Sequence, residues 1–553
     1  IGAHTVELND HPQWVDNAIV YEINVRSFSS PYDLDAITAR VPELKDLGVT
    51  CVWLTPINVG PSAHGYAIAD YYDINPDLGT KDDFRELVNT LHENDMYLIM
   101  DLVINHSSIE HPFMQDALRY GEYSPYYNFY IWDEAGNYAY YFNWTTLPNL
   151  NYDNPEVRDY FIDVSKYWIE NFDIDGYRCD VAWGIMERNP EFWHQWRQEL
   201  KTLKPDILLL AEATSEDISL FDERFDAAYD WPFRGMLANV IDGAASIDQL
   251  DSIVEYYESE EYPPKALNFR FLENHDMERF FNRFGKQKTK MAAACYLTLP
   301  GLPLIYAGQE VGELTTRYYI DWSDPEGLRD YYRKLVAIRR TYTALRQGKF
   351  DRIPNSTSNN LYSYLRRYAK NNVIVNINFS NQSFTSILEI PIDSLGLEPG
   401  IQYYLNDVLN DTTYSVQLED LANYQVNINP YDAQILVLAD TALFVGIAKA
   451  EDNIPKIYAI CQNYPNPFNL ATVIKYQLPT KSELSLKIYN IVGQEVKTLV
   501  NEVQKPGTYS VCWDGKNDKG LNVASGIYFY RIAIRSAGKT EKFVKSKKMI
   551  LVR

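Results

Sequence analysis

Long apolar runs are missing from this 553-residue chain. No stretch approaches the roughly 20 apolar residues that a membrane-crossing helix needs, so no transmembrane segment is expected. Cysteine is scarce. The five cysteines form no CxxC pair and no Cys/His cluster, which argues against both a zinc site of the usual spacing and a disulfide framework. Cys51, Cys179 and Cys295 fall within apolar strand or helix patterns and are expected as buried thiols, whereas Cys461 and Cys512 share one C-terminal region and could pair there. Positive charge is in short supply: 51 Lys and Arg stand against 75 Asp and Glu, a net charge of -24. A polyphosphate partner demands a basic footprint, so nucleic acid is not expected as a ligand. The N-terminal residues lack the charged and apolar blocks of a signal peptide, and any such segment is expected to have been removed already or to lie outside the sequence.

What the chain has in quantity is aromatic surface, 14% of residues with 44 Tyr and 11 Trp, a good platform for flat apolar ligand faces. Its length suggests roughly three or four domains. From residue 18 to about 341, strand-like and helix-like patterns alternate, the sequence form of a parallel sheet covered by helices. Eight strands are expected, at 18–25, 49–54, 97–104, 174–179, 207–211, 226–229, 266–272 and 303–306, with helices such as 81–93, 155–171, 190–202 and 328–340 between them. Eight strands imply an α/β fold, a closed (β/α)8 TIM barrel, in which polar residues at the C-terminal strand ends line the active face. After the third strand come about forty residues crowded with Tyr and Trp and read as free of any immediate helix. They form a small inserted subdomain overhanging the barrel mouth and supplying stacking walls. The domain reading is a barrel of 1–106 and 147–348, an insert of 107–146, a β-sandwich of 349–440, a linker of 441–455 and a second β-sandwich of 456–553.

The chemistry centres on Asp175-Gly-Tyr-Arg-Cys-Asp180. Period-two alternation puts Arg178 and Asp180 on one face of the fourth strand. A guanidinium beside a carboxylate lowers its pKa, giving either a poised nucleophile or a plain buried ion pair. Other strands end in the same manner: the third in Asp101, Asn105 and His106, the fifth in Glu212, the seventh in His275 and Asp276. A single such acid is ordinarily a loop charge, but four on the mouth of one barrel converge on a site.

These strand-end residues, in this order, resemble the four signature regions of the alpha-amylase family, glycoside hydrolase family 13. His64-Gly-Tyr-Ala-Ile-Ala-Asp-Tyr71, with Asn75-Pro76 and Gly79-Thr80, resembles that family's loop after strand two; Leu147-Pro-Asn-Leu-Asn151 resembles its extra motif, and Tyr306-Ala-Gly-Gln-Glu310 its strand-eight end. The resemblance spans roughly residues 12 to 440. It implies Asp180 as nucleophile, Glu212 as proton donor and Asp276 as the acid that fixes a distorted sugar, with Arg178, His106 and His275 beside them and Tyr66 stacked under the sugar. Trp183 and Trp144 are expected on the substrate walls. The implied reaction is retaining cleavage of alpha-1,4-glucosidic bonds in starch, maltodextrins or cyclodextrins through a covalent glycosyl-enzyme intermediate. Three and four positions past the nucleophile, where true alpha-amylases commonly carry Lys and His, this chain has Trp183 and Gly184. That departure keeps 4-alpha-glucanotransferase, cyclomaltodextrinase and maltogenic activities open, and an inactive glucan-binding protein is the reading from a second class. The resemblance also implies Ca2+ at Asn105, between barrel and insert; the alternative role for Asn105 is a strand cap made by hydrogen bonding. No organic cofactor is implied.

The C-terminal part, opening at Tyr464-Pro-Asn-Pro-Phe-Asn469, resembles flagellar-hook-type immunoglobulin-like modules and the sorting tails of proteins exported by the type IX route. It implies a secreted or cell-surface protein that meets secretion machinery or a surface through this module. The Asp514-to-Gly520 turn is read as a plain turn rather than a calcium loop.

Overall fold

The structure, a computed structural model, describes residues 11–443 apart from 31, and 458–552 apart from 461, 464–465, 470–471, 505–506 and 537–541. By internal contacts the chain divides into two compact units, Ile1–Leu388 with Gln425–Ala433, and Glu389–Tyr424 with Gln434–Arg553.

The first unit is built on eight parallel strands: β1 (Val20–Ile23), β2 (Cys51–Leu54), β3 (Tyr97–Leu102), β4 (Gly176–Cys179), β5 (Leu208–Thr214), β6 (Ala227–Tyr229), β7 (Leu267–Arg270) and β8 (Leu302–Tyr306). Each pairs with the next and β8 pairs back with β1, closing a barrel. Because helices cover the outside, the strands are buried on both faces and read as near-continuous apolar runs. Trp53, Ile99, Leu208, Leu210, Tyr229 and Phe269 fill the interior. Gly176 is required where β3, β4 and β5 meet, since a Cβ there would lie 2.5 Å from the Leu208 carbonyl oxygen and 2.7 Å from Ile99.

All eight expected strands occur in order, with different ends. The third stops at Leu102 rather than 104, because the chain there leaves the barrel ladder and bridges the returning insert, His106 opposite Asn149. The expected helix 81–93 is observed as Lys81–Glu93, started by a capping box in which Thr80 and Asp83 satisfy each other's backbone N–H groups. Acids also sit at the opposite, N-terminal strand ends. Asp175 accepts from Leu98 N, His92 and Lys204, and Asp226 from Leu209 N, Arg197 and Lys201. These tie helices to strands at the barrel floor, the end that serves stability.

The insert corrects one expectation. It contains a helix, Pro112–Tyr120, begun by Pro112 at the first helical position, with the His111 ring accepting from Phe113 N. Several of its aromatics pack on one another rather than walling the mouth: Tyr126 stacks on Phe113 at 3.9 Å, Tyr127 on Trp132 at 4.5 Å, and Tyr130 is buried against Ser107. After the barrel, Lys349–Arg352, Leu361–Tyr368 and Asn371–Asn378 form an antiparallel meander within the first unit.

In the second unit Tyr403–Asp407 pairs with Thr412–Val416 and Ala433–Ala439. Further on, Ala459–Ile460, Thr472–Leu478 and Gly507–Trp513 make one small sheet; Glu495–Gln504, Ser482–Asn490, Gly526–Ser536 and Lys542–Leu551 make another. Trp513, Tyr530, Ile532, Leu486 and Ile488 form their shared core. Most of the expected linker, residues 444–457, lies outside the described residues, as does Cys461 and with it the expected pairing to Cys512. Cys51, Cys179 and Cys295 are buried free thiols. Among the described residues no helix is long and apolar enough to cross a membrane.

Candidate active site

The site is assembled around one cation. Asp101 on β3 lies in register with Arg178 on β4, and the two side chains meet inside the barrel, Arg178 Nη1 donating to Asp101 Oδ1 at 2.8 Å. The same nitrogen donates to Asp180 Oδ1 at 2.8 Å, and Nη2 pairs with Glu212 Oε1 at 2.8 Å. Nε faces the Tyr229 hydroxyl at 3.2 Å, and the guanidinium lies over the rings of Trp53, Tyr66 and Tyr229. A delocalised, planar cation with five donors suits this role, and a lysine could not bridge three carboxylates in fixed geometry.

The sequence argument that Arg178 lowers the Asp180 pKa meets a stronger opposing effect. Burial raises Asp180 to about 7 and Glu212 to about 7, against the downward pull of Arg178, and it raises Asp101 as well. One guanidinium cannot neutralise three buried carboxylates, so the group keeps a shared proton near neutrality. Glu212 is further fixed from behind. Its Oε2 accepts from Val181 N at 2.7 Å, and Val181 holds a left-handed backbone, φ 47°, that a β-branched residue rarely adopts. That strained turn, directly after Asp180, aims a main-chain donor at the neighbouring acid.

Asp276 is more open, its side chain 44% exposed, and is held from the β8 loop by Arg317, whose Nη2 lies 2.5 Å from Oδ1 and whose Nε donates to the His275 carbonyl. His275 is buried between acids: Nδ1 is 2.5 Å from Glu22 Oε1 on β1, and Nε2 lies 2.7 Å from the Tyr66 hydroxyl and 3.3 Å from Asp276 Oδ2. Burial alone would lower its pKa, but Glu22 and Asp276 outweigh that and raise it, favouring the imidazolium. The Tyr66 hydroxyl in turn donates to Asp101 Oδ2 at 2.9 Å, and its ring stacks on His275 with an interplanar angle of 7°.

His106 lies beside this group with both ring nitrogens engaged, Nδ1 facing Asn105 Nδ2 at 3.2 Å and Nε2 facing the Tyr66 carbonyl at 3.2 Å. Burial pushes it down to about 4, so the ring is neutral at ordinary pH. To donate to a sugar hydroxyl, Nε2 must exchange the Tyr66 carbonyl for it. Tyr141 from the insert stacks on His106 at 5.2 Å. Trp183 packs near Tyr141 and Phe142 and, with Thr214, Asp217 and Trp231, lines a cavity of about 560 Å³ beside Glu212. Trp144 contacts the edge of His64, which stacks near Tyr66.

The structure thus brings Asp180, Glu212, Asp276, Arg178, His275, Tyr66 and His106 into one constellation, with Trp183 and Trp144 on its walls. Asn105 stands one residue behind His106, turned toward Arg188. Tyr141 fell within the aromatic insert expected to supply stacking walls, whereas sequence reasoning assigned no role to Glu22, Arg317 or Phe142. Of these, only Glu22 carried a signal, an acid within an apolar strand. Glu310, at the strand-eight motif, is fully buried and accepts from Tyr21, a structural contact.

The profile of the alpha-amylase catalytic domain matches residues 27–338, and that of the FlgD Ig-like domain matches residues 470–538. Alpha-amylase 3 of Dictyoglomus thermophilum is 32% identical over 407 residues, covering 62% of this chain and 80% of the relative. A cyclomaltodextrinase of Geobacillus thermopakistaniensis is 30% identical over 479 residues, covering 77% and 78%. Among solved structures, a maltogenic alpha-amylase from Thermotoga neapolitana superposes with a TM-score of 0.66 at 26% identity, covering 76% of this chain and 98% of its own.

Proposed function

The chain belongs to the alpha-amylase family of glycoside hydrolases, and on that premise we propose that it hydrolyses alpha-1,4-glucosidic bonds of starch, maltodextrins or cyclodextrins with retention of anomeric configuration. In the proposed cycle Glu212, carrying the proton, donates it to the glycosidic oxygen as Asp180 attacks the anomeric carbon, so the leaving chain departs neutral and a glycosyl ester forms on Asp180. Glu212, now ionised, takes a proton from water, whose oxygen attacks the same carbon and releases Asp180. Asp276 and His275 hold the ring hydroxyls, and Tyr66 lies beneath the sugar.

One observation carries the retaining assignment. Asp180 Oδ1 and Glu212 Oε1 are bound by the two terminal nitrogens of a single guanidinium. That sharing holds the two carboxyls close to one another and supports a separation on the order of 5 Å, the spacing of direct attack rather than of an interposed water. Proton NMR of the first product from maltoheptaose tests it: the alpha anomer is expected before mutarotation, and the beta anomer would overturn the assignment. The intact set of acids weighs against an inactive glucan-binding protein.

A second reading, transfer to a sugar acceptor, is favoured by the Trp183, Tyr141 and Phe142 wall beside Glu212, which offers a second sugar a stacking surface. Several relatives are named cyclomaltodextrinase, neopullulanase or maltogenic alpha-amylase. Products longer than the substrate, formed at high maltotriose concentration, would establish it. For the FlgD-like unit we propose a role in export or surface attachment. Release of a reporter protein carrying residues 456–553, compared with the reporter alone in the native host, tests that role.

A further inference from the structure

The junction between barrel and insert holds a cation of its own. Asn105 is 1% exposed, and its Oδ1 accepts from Arg188 Nη2 at 2.6 Å, while the same nitrogen lies 3.4 Å from the Asn105 carbonyl oxygen. That carbonyl also accepts from Leu150 N, where the insert returns. Arg188 ends the short helix Ala182–Arg188 that follows Asp180. The oxygens where the family resemblance places calcium are therefore already bound to a guanidinium. The space around them is closed as well: a Cβ on Gly184 would lie 2.5 Å from Asn105 Oδ1 and 3.4 Å from Arg188 Nη1. Calcium asks for six to eight oxygen ligands, mostly carboxylates and carbonyls. Among the described residues no group of three His, Cys, Asp or Glu side chains could hold a metal. The residues present do not fit calcium.

We propose that Arg188 is the resident cation of this junction in place of calcium, and that it is a positioning residue for the sugar-binding side of the site. The link runs through hydrogen bonds. With Oδ1 committed to Arg188, the Asn105 amide can present only Nδ2 to His106, which makes Nδ1 the acceptor of a neutral ring. Nε2 then carries the hydrogen and donates to the Tyr66 carbonyl, fixing the loop whose ring lies against His275. A neutral replacement of Arg188 frees the amide to turn over, after which the His106 tautomer and the Tyr66 loop are no longer specified. Arginine stays charged even where burial lowers its pKa, as here, so this cation is independent of pH and of chelators.

The test uses the full chain. Thermal unfolding of the wild type in excess EDTA and in millimolar CaCl2 is expected to give melting temperatures within about 1 °C, because a ligand that does not bind the native state cannot stabilise it. Asn105→Asp separates the two cations: beside a fixed guanidinium it makes an ion pair and stays indifferent to calcium, whereas at a metal site the added carboxylate strengthens the calcium response. Arg188→Gln is expected to raise KM for maltoheptaose roughly fivefold with kcat within about twofold, since the groups it releases bind sugar rather than react, and Arg188→Lys is expected to recover part of the loss. This kinetic arm rests on the proposed glucan hydrolysis; the unfolding arm does not and tests the place of calcium by itself, and if Arg188→Gln fails to fold, a KM unchanged in Arg188→Lys counts against the positioning role. A wild-type melting temperature that rises several degrees with calcium, a calcium-responsive Asn105→Asp, or an Arg188→Gln enzyme unchanged in KM would overturn the proposal.

Discussion

At the scale of single residues, the shared proton sets the pH behaviour. In the proposed mechanism Asp180 must be ionised to attack and Glu212 protonated to donate, and burial raises both to about 7. Because they interact through Arg178, the limbs of a bell-shaped kcat/KM profile belong to the pair, with the alkaline limb near 7. Glu212→Gln is expected to abolish that limb, and Asp180→Asn to cost at least about a thousandfold in kcat while the fold persists, as circular dichroism would show. The same shifts bear on stability. A carboxyl whose folded pKa lies above its unfolded value keeps a proton the unfolded chain has lost, so stability falls as pH rises from about 4 to about 7, and the full penalty stands above that window. Asp180→Asn and Glu212→Gln carry no such penalty. Each is expected to raise the melting temperature by about 1–3 °C at pH 8 and to leave it unchanged at pH 4; a lower value at pH 8 would contradict the burial argument. The pairing of Arg178 with Asp180 was legible from strand alternation alone. The sign of the shift was not, because it depends on burial depth and on how many acids share one guanidinium. Arg317 was hidden for a different reason: it sits on an irregular loop 41 residues from Asp276, where no periodicity points.

At the scale of elements, the barrel has two rings of acids with opposite duties. Sequence position at a strand end does not by itself tell them apart, since Asp175 and Asp226 flank strands as closely as Asp180 does. What separates them is the end of the strand, and strand direction was legible because every strand is parallel. Asp226 is fully buried between Arg197, Lys201 and the Leu209 amide. Asp226→Ala strands two part-buried cations and an amide, and is expected to cost about 3 kcal/mol of stability. Turnover per folded molecule, measured well below the new melting temperature, should be unchanged; a loss of kcat would mean that the floor reaches the mouth. The nine-residue helix of the insert escaped the sequence reading because it is short, with too few apolar positions, Phe113, Met114 and Ala117, to establish a helical period before the tyrosine-rich stretch that follows it. The strands Glu495–Gln504 and Lys542–Leu551 have few buried side chains, so that alternation along them is faint in the sequence.

At the scale of the molecule, charge is unevenly spread. Residues 456–553 carry sixteen Lys and Arg against six Asp and Glu, although the whole chain is strongly acidic. Unlike signs in separate segments accord with the export or surface-attachment role proposed for the C-terminal unit, since a basic segment is attracted to an anionic surface. Removal of everything after Leu443 keeps the main-chain donation of that residue to Asn406 and removes no group of the catalytic constellation. Turnover of maltotriose by the shortened chain is expected to stay within about twofold of the full chain, and a larger fall with the barrel still folded would show that the C-terminal region shapes the cleft. The acidic body also faces inward. Three carboxylates answered by a single guanidinium make the mouth a cation trap, which bears on inhibition rather than on turnover. A glucose mimic whose ring carries a basic nitrogen should outbind its uncharged counterpart, and its advantage should widen as the pH is raised and the retained proton leaves, until the nitrogen itself loses charge. Inhibitor selection against this enzyme therefore belongs on the alkaline side of its working range, where the acids are emptiest and the choice between charged and neutral ligands is sharpest.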